Sequence, residues 1–290
     1  MKLGYFSLNT AEGIAPSTLA SELEARGFDS MWLPEHSHIP VRRQPGPFGD
    51  DVPDAYVHLM DPFVSLATAA MTTTTLSLGT GVAMILEHDL LDLACRVATL
   101  DVLCGGRFQF GVGVRWLPEE LANHRPDVEF GSRYEAAAER IRALKSIWSE
   151  DEPEFDGRWD RFAKSWVYPK PVQRPLPVGM GVNGPAGMAY AAAIADEWFP
   201  IDAVLDEGDG VGASVRRFHG MLEDNGRDPA SVPITLFTWG FEPGTPTLDL
   251  LKSYEALAVD RVVVCPPSMA RHDADATRRR LDEFAPLLAS

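Results

Sequence analysis

Cysteine and basic residues are scarce in this chain of 290 residues. The three cysteines, Cys95, Cys104 and Cys265, are too few and too widely spaced for a disulfide framework. Lys and Arg total 26 against 42 Asp and Glu, which gives a formal net charge of -16 at pH 7. This negative charge opposes the phosphate neutralisation on which nucleic-acid binding depends. We therefore expect no nucleic-acid partner, and a reducing, cytoplasmic location.

Long hydrophobic runs are also missing. No segment approaches the roughly 20 apolar residues that a membrane span needs, and residues 1–5 enter a strand-like run instead of a signal-peptide core. Hydrophobic residues still make up 45% of the chain, enough for a sizeable buried core. Because no low-complexity linker divides the sequence, we expect one domain over residues 1–290, without membrane contact.

Short apolar runs alternate with stretches of helical periodicity eight times along the chain. The predicted strands cover residues 3–8, 30–33, 76–84, 107–112, 177–181, 197–201, 233–239 and 261–265. The predicted helices cover residues 16–26, 61–71, 90–103, 132–148, 185–195, 211–225, 248–258 and 275–288. Eight such units favour an α/β fold of the (β/α)₈ TIM barrel type over an open, doubly wound sheet.

Two connections are longer than the rest. Residues 35–60 are rich in Pro and Gly and follow the second strand, so we expect this long loop on the carboxyl-terminal face, where barrel enzymes place their sites. Residues 151–176 form an insertion before the fifth strand. Because the insertion follows a helix, we expect it on the opposite face or along the side of the barrel.

Two histidines follow the second strand directly, in the run Glu35-His36-Ser37-His38. His36 is the candidate catalytic residue, because a histidine exposed to the pocket can act as a general acid or base near neutral pH. A loop histidine bonded to Glu35 is the structural alternative. His-x-His can also begin a zinc site. The other histidines fall on loops or helices and the eighth strand ends in Cys265, so we expect no metal.

Glycines cluster at the ends of three neighbouring predicted strands. They occur in Thr80-Gly81-Val82, in Gly111-Val112-Gly113 and in Gly179-Met180-Gly181-Val182-Asn183-Gly184. Small residues there make room for a flat ring, and the free amides of the helix that opens at Pro185 favour an anion such as phosphate. Residues 179–184 also fit the G-x-G-x-x-G dinucleotide fingerprint, with Asp202 as the ribose partner, or an ordinary tight turn. A dinucleotide domain that began at the fifth unit would leave the first four units without a role.

The segments of this chain, in their order, resemble the luciferase-like monooxygenase family and, within it, the deazaflavin (F420)-dependent oxidoreductases. The matching stretches are Arg26-Gly27-Phe28-Asp29-Ser30-Met31-Trp32-Leu33-Pro34-Glu35-His36, Leu78-Gly79-Thr80-Gly81-Val82, Thr99-Leu100-Asp101, Gly105-Gly106-Arg107, Phe110-Gly111-Val112-Gly113 with Trp116, Pro169-Lys170-Pro171-Val172-Gln173-Arg174-Pro175 and Ala195-Asp196-Glu197-Trp198-Phe199-Pro200. No single motif is diagnostic, but the ordered set spans nearly the whole chain.

The resemblance implies a barrel that binds coenzyme F420 or FMN at its carboxyl-terminal mouth, acts on a small-molecule substrate and forms a homodimer. It implies that His36 lies near the reacting centre and that the bond Gly81-Val82 is a non-prolyl cis peptide that supports the ring. The residues expected to bind the cofactor are Glu35, Thr80, Gly81, Val82, Gly111, Val112, Gly113, Gly179, Gly181, Val182, Asn183 and Gly184. Arg115 stands where the family often has glycine, and we expect it either to tighten the pocket floor or to meet an anionic group.

Between the two cofactors, the resemblance favours F420, which carries a hydride in two-electron steps. The first alternative is an FMN-dependent monooxygenase that uses reduced flavin and oxygen. The second, from another class of protein, is a noncatalytic barrel that only binds a flavin. The sequence does not indicate the substrate.

Overall fold

Eight parallel strands form the centre of the protein, in a computed structural model that describes residues 1–45, 52–114, 116–205, 210–239, 246–265 and 273–288. The strands are β1 (Lys2–Phe6), β2 (Ser30–Leu33), β3 (Ser77–Thr80), β4 (Phe108–Gly113), β5 (Val178–Met180), β6 (Glu197–Trp198), β7 (Thr235–Thr238) and β8 (Arg261–Val264). Their order around the sheet is β7-β8-β1-β2-β3-β4-β5-β6. Parallel bridges from Trp198 to Ile234 and from Ile201 to Phe237 bring β6 beside β7. The predicted barrel is confirmed.

Helices surround the strands. They are α1 (Pro16–Arg26), α2 (Pro62–Ala70), α3 (Leu90–Leu103), α4 (Pro118–His124), α5 (Arg133–Ser149), α6 (Pro185–Ile194), α7 (Gly210–Asp224), α8 (Leu248–Glu255), α9 (Ala274–Glu283) and α10 (Ala285–Leu288). Side-chain caps fix several starts: Asp61 accepts the N–H of Val64 in α2, and Asp89 accepts the first N–H groups of α3. In the described part of the chain, no helix is both long enough and apolar enough to cross a bilayer.

The structure departs from the predicted elements at several places. Helix α4 was not predicted, and the last predicted helix, 275–288, is two helices that meet at Phe284. The third predicted strand, 76–84, breaks at the bond Gly81-Val82. After this break a two-residue extension, Ala83–Met84, pairs with the end of β4.

The insertion, residues 151–176, lies along the side of the barrel, against α3 and α5. It contains a short antiparallel hairpin, Phe155–Asp156 with Arg161–Phe162. Glu139 of α5 accepts the backbone N–H groups of residues 158–160 at 2.7–2.9 Å. Burial raises the pKa of Glu139, but these three donors outweigh it and leave the pKa below its usual value. Arg140 adds a buried bidentate pair with Asp160, so α5 holds the turn of the hairpin at two points.

Aromatic side chains fill the inside of the barrel. Trp32 of β2 is fully buried, and its ring centroid lies 5.2 Å from Phe199 and 5.5 Å from Phe237. Glycines on neighbouring strands make this packing possible: a Cβ at Gly79 would lie 2.4 Å from the Trp32 ring, and one at Gly179 would lie 2.2 Å from the Phe199 ring. These strand glycines therefore serve the aromatic core of the barrel.

We expect Gly111→Ala to lower the free energy of unfolding by about 1–3 kcal/mol or more, the range for an overpacked core. The new Cβ would lie 2.2 Å from the backbone oxygen of Thr80 and 2.5 Å from the Phe199 ring, and the backbone of a paired strand has little freedom to move. The matched control is Gly184→Ala, where no atom lies within 4 Å of the added Cβ. Urea denaturation of both variants tests this, and equal losses would contradict it.

A buried polar cluster lies at the amino-terminal end of the barrel. Arg261 of β8 donates to Asp29 at 2.6 Å and to the hydroxyl of Thr235 at 3.1 Å, and it forms an ion pair with Glu197 at 3.4 Å. Its guanidinium also lies 5.6 Å from the centre of the Trp32 ring. Burial raises the pKa of Glu197, and Arg261 opposes this shift. The cluster is thus a charged end to an otherwise apolar barrel interior.

Candidate active site

His36 lies just beyond the end of β2, in contact with a carboxylate that the sequence did not reveal. Its Nδ1 is 3.1 Å from Oε2 of Glu120 on α4, and the two side chains are 3% and 0% exposed. The rings of Tyr56 and Trp116 approach the imidazole with centroids 4.9 and 6.0 Å away. Burial raises the pKa of Tyr56, and nearby Cys265 adds to the shift, so its hydroxyl stays protonated. The result is a shielded imidazole–carboxylate pair.

Glu35 has a different set of partners. Its carboxylate accepts the N–H of Met84 at 2.6 Å and a hydrogen bond from Nε2 of His88 at 3.0 Å. Arg96, which can only donate, lies 3.2 Å from Nδ1 of His88, and this fixes Nε2 as the protonated nitrogen of that ring. Glu35 therefore ties the loop after β2 to the extension after β3. Its contact with a cofactor stays a prediction.

The second histidine of the pair, His38, belongs to a separate network. Its Nδ1 lies 3.0 Å from the hydroxyl of Ser37, which also lies 2.8 Å from Nε2 of His124. The side-chain amide of Asn123 donates to Nε2 of His38 at 2.9 Å. Among the residues that the structure describes, no group of three or more His, Cys, Asp or Glu side chains could hold a metal ion.

Glycines from the predicted strand-end motifs pack against the side chain of Val82. The bond Gly81-Val82 is cis, as the resemblance implied. A Cβ at Gly113 would lie 2.5 Å from one methyl of Val82, and a Cβ at Gly181 would lie 2.7 Å from the other. The glycines of β4 and of the loop after β5 thus admit this half-buried side chain. Together they form a small apolar platform at the ends of three neighbouring strands.

Hydrogen bonds to β6 and to the segment after it hold the loop after β5 in place. Val182 is buried, and its carbonyl accepts the indole N–H of Trp198 at 2.8 Å. The side-chain oxygen of Asn183 accepts the N–H of Ile201 at 2.7 Å. Gly184 is exposed and begins α6, which has Pro185 in its first turn and no side-chain cap within the described residues. The backbone N–H groups at the start of α6 thus have no side-chain cap in the described part of the chain, and anion binding there stays a prediction.

The predicted cofactor residues fall into two groups by burial. Thr80 is fully buried, and its hydroxyl donates to the carbonyl of Gly111 at 2.7 Å. The buried members are Glu35, Thr80, Gly111, Val112, Gly113, Gly179 and Val182. The members with exposed surface are Gly81, Val82, Gly181, Asn183 and Gly184. Arg115 lies outside the described residues.

Arg133, at the start of α5, is a cation near α6 that sequence reasoning missed. Its guanidinium lies 4.6 Å from the centre of the Tyr134 ring, which stacks on Tyr190 of α6 at 5.6 Å. Its Nε is buried and has no hydrogen-bond partner among the described residues. A positive charge at a helix N-terminus opposes the helix dipole. The guanidinium donates to the carbonyl of Phe130 at 2.8 Å and lies 4.0 Å from the centre of the Phe130 ring, so the turn before α5 holds part of this side chain.

Comparison with known proteins gives a consistent family. The family model for luciferase-like monooxygenases matches residues 1–239. An uncharacterised protein of Mycobacterium tuberculosis is 34% identical over 288 residues, 97% of each chain. An F420-dependent glucose-6-phosphate dehydrogenase of Kineococcus radiotolerans is 30% identical over 200 residues, 68% of this chain and 55% of that one. An FMNH₂-dependent dimethylsulfone monooxygenase of Pseudomonas putida is 37% identical over 108 residues, 37% of this chain and 30% of that one.

Solved structures share the fold at lower identity. A monooxygenase from Streptomyces bottropensis superimposes with a TM-score of 0.76 at 19% identity, covering 99% of this chain and 98% of the other. An F420-dependent secondary alcohol dehydrogenase, in complex with an F420–acetone adduct, gives 0.73 at 16% identity, covering 98% and 97%. At such identities the similarity establishes the barrel alone.

Proposed function

Because the chain belongs to the luciferase-like monooxygenase family and is an oxidoreductase of that family, we propose that it transfers a hydride between coenzyme F420 and a small organic substrate in the cytoplasm. The observation that carries the proposal is the Val82 platform. Two glycines, Gly113 and Gly181, leave room for this one side chain at the mouth of the barrel. A half-buried valine in this position suits the face of a flat ring.

The residues around the platform fit the two ends of a deazaflavin. The uncapped start of α6, with the exposed Gly184, can accept a phosphate through backbone N–H groups. Arg133 supplies a cation near the same helix: one of its N–H groups donates to the carbonyl of Phe130 at 2.8 Å, and its buried Nε has no hydrogen-bond partner among the described residues. When bound, F420 supplies a carbon centre that accepts or returns a hydride. Tyr56 and Trp116 shield His36 from water, and His36 exchanges a proton with the substrate oxygen.

F420 is preferred to FMN on two grounds. The F420-dependent dehydrogenase relative matches 68% of this chain, whereas the FMNH₂-dependent relative matches 37%. The sequence segments that carry the resemblance also favour the F420 subgroup. An FMN-dependent monooxygenase is the alternative for the same platform, and a noncatalytic flavin-binding barrel is the alternative of another class.

Equilibrium binding of F420 and of FMN to the purified protein, followed by their fluorescence, tests the proposal. We expect F420 to bind more tightly, and we expect anaerobic turnover with an alcohol or carbonyl compound. Tighter binding of FMN with oxygen consumption would establish the monooxygenase instead, and binding without turnover across the panel would favour the noncatalytic barrel. Arg133→Gln should weaken binding about tenfold or more, whereas Arg161→Gln, on an exposed side chain paired with Asp156, should not.

We also propose that two copies associate through the outer face of α2 and α3. Val64 on α2 and Met71, directly after it, are 68% and 72% exposed, and Leu91 and Val102 on α3 are 37% and 45% exposed. A chain with a net charge of -16 repels its own copies, so exposed apolar side chains are where two copies can approach closely. A second copy offers the matching face by two-fold symmetry.

Met71→Lys is expected to convert the dimer into a monomer, because it replaces an exposed apolar side chain of this face with a charged one. Sedimentation at micromolar concentration measures the change. Val41→Lys is the control, since Val41 is 93% exposed on the loop after β2. A wild-type protein that sediments as a monomer would reject the proposed dimer.

A further inference from the structure

We infer that Glu120 is the positioning residue for His36: its carboxylate holds Nδ1, so that Nε2 is the nitrogen presented to the substrate oxygen. This inference deepens the proposed function and rests on it for the identity of the reaction. The tautomer and the protonation state of the imidazole, in contrast, depend on this chain alone and can be measured whatever the reaction is.

With Glu120 ionised, this contact assigns the tautomer of His36. An ionised carboxylate can only accept hydrogen bonds, so Nδ1, at 3.1 Å from Oε2 of Glu120, carries the hydrogen. In the neutral ring, Nε2 is then the basic nitrogen. Because the two side chains are 3% and 0% exposed, the bond operates where water competes little and the dielectric screening is weak.

Helix α4 presents the carboxylate to the loop after β2. Pro118 begins the helix, and Leu117 and Leu121 anchor it, with 0% and 1% of their surface exposed. The neighbouring Glu119 has another task, since its carboxylate accepts the backbone N–H of Gln44 at 2.8 Å. Two adjacent glutamates on one helix therefore have distinct partners, and this makes Glu119 a matched control for Glu120.

Three groups packed around His36 come from different segments of the chain. Helix α4 contributes the Glu120 carboxylate, the turn Asp54–His58 contributes the ring and hydroxyl of Tyr56, and the segment before α4 contributes the uncharged Trp116. The adjacent Glu35 directs its carboxylate to Met84 and His88. Glu120 is thus a negative charge in hydrogen-bond contact with the ring.

This arrangement determines which atoms exchange a proton with the substrate. When the substrate carries a hydroxyl, its proton passes to Nε2 of His36, and the imidazolium that forms lies against the negative charge of Glu120. Glu120 keeps its charge throughout and takes no proton. In the reverse direction, Nε2 returns the proton to the carbonyl oxygen. The role of Glu120 is therefore to orient the ring and to stabilise its charged form.

The test uses the full-length, cofactor-free protein labelled with ¹⁵N-histidine. The chain has seven histidines, and the signals of His36 are those that disappear in His36→Asn. We expect a neutral ring with its hydrogen on Nδ1. In Glu120→Gln we expect the midpoint of its titration to fall by about one pH unit or more, because the charged form loses its counter-charge. Glu119→Gln should leave both the tautomer and the midpoint unchanged.

Glu120→Asp covers the case in which Glu120→Gln does not fold. It keeps the charge but withdraws it by one methylene group, so the midpoint should fall by a smaller amount. In turnover, Glu120→Gln should lower kcat about tenfold or more and leave KM for the substrate unchanged. A wild-type tautomer and midpoint in Glu120→Gln would overturn the inference, as would an equal shift in Glu119→Gln. Because the spectra need no cofactor, a failure of F420 turnover alone would count against the proposed function and not against the role of Glu120.

Discussion

Arg261→Met is expected to lower the free energy of unfolding by about 3–5 kcal/mol, the range for removing one partner of a buried ion pair. Arg261 is the cation between Glu197 and Asp29 at the amino-terminal end of the barrel. Methionine fills a similar volume, so the lost stability comes from the Glu197 carboxylate, which stays buried without its cation. Glu197 would then be buried with the hydroxyl of Thr235 and without its positive charge.

The loss should depend on pH in a defined direction. Burial already raises the pKa of Glu197 in the wild type, from an ordinary value near 4.5, and loss of Arg261 raises it further. A group with a raised pKa in the folded state favours folding below its unfolded pKa and loses that contribution as the pH rises through the folded pKa. The variant should therefore be less impaired near pH 5 than at pH 8.

Urea denaturation at both pH values measures the effect. The matched control is Arg278→Met, because Arg278 is 41% exposed and pairs with Glu22 and Asp275 on the surface. Surface pairs contribute up to about 1 kcal/mol, so this control should lose little. The double variant Arg261→Met, Glu197→Gln should recover part of the loss, since it removes the unpaired charge. A loss in Arg261→Met no larger than in Arg278→Met would contradict the prediction.

The barrel could be predicted from sequence because its signal is periodic. Each barrel strand is a short apolar run bounded by turn residues, and each long helix has a helical repeat of apolar positions. Helix α4 was not predicted because it has seven residues, too few for a repeat of apolar positions to appear. The hairpin of the insertion escaped because its position depends on Glu139 and Arg140, on a helix that precedes it. That the chain is one domain over residues 1–290 stays a prediction, which limited proteolysis can test.

The site was predictable in part. The position of His36 follows from its place after a strand, which is a local property. Its partner Glu120 lies 84 residues further along, and the separation of a contact cannot be read from one sequence. That the strand-end glycines make room for a flat ring stays a prediction. A Cβ at Gly111 or Gly179 would meet the ring of Phe199, a side chain of the barrel itself, and this contact depends on the closure of the barrel.

Much of the family resemblance is carried by residues that hold the barrel together. Asp101 accepts the backbone N–H groups of Val172 and Gln173 and the side-chain N–H of Gln173, so two distant motifs meet in one contact. Asp196 likewise accepts the N–H of Val178 at 2.9 Å and joins β5 to the segment before β6. Such contacts explain why the ordered set of motifs identifies the fold more firmly than the cofactor.

His36→Asn is expected to lower turnover by about 10²-fold or more, the range for lost acid–base catalysis, while cofactor affinity stays within about twofold. Asparagine retains a hydrogen-bonding side chain of similar reach but cannot take up a proton near neutral pH. Glu120 would still have a donor, the side-chain amide of the introduced asparagine, so the fold should be preserved. Steady-state kinetics and a separate cofactor titration measure the two quantities.

The control for this prediction is His58→Asn. His58 is 39% exposed and bonds the carbonyl of Asp54 within its own turn, so its replacement should change neither turnover nor cofactor binding. If His36→Asn instead lost cofactor affinity and kept wild-type turnover per bound cofactor, His36 would be a binding residue. The two outcomes separate because a hydrogen bond to a bound ring is formed before the reaction and lowers the dissociation constant, whereas a proton transfer to the substrate oxygen contributes only in the transition state.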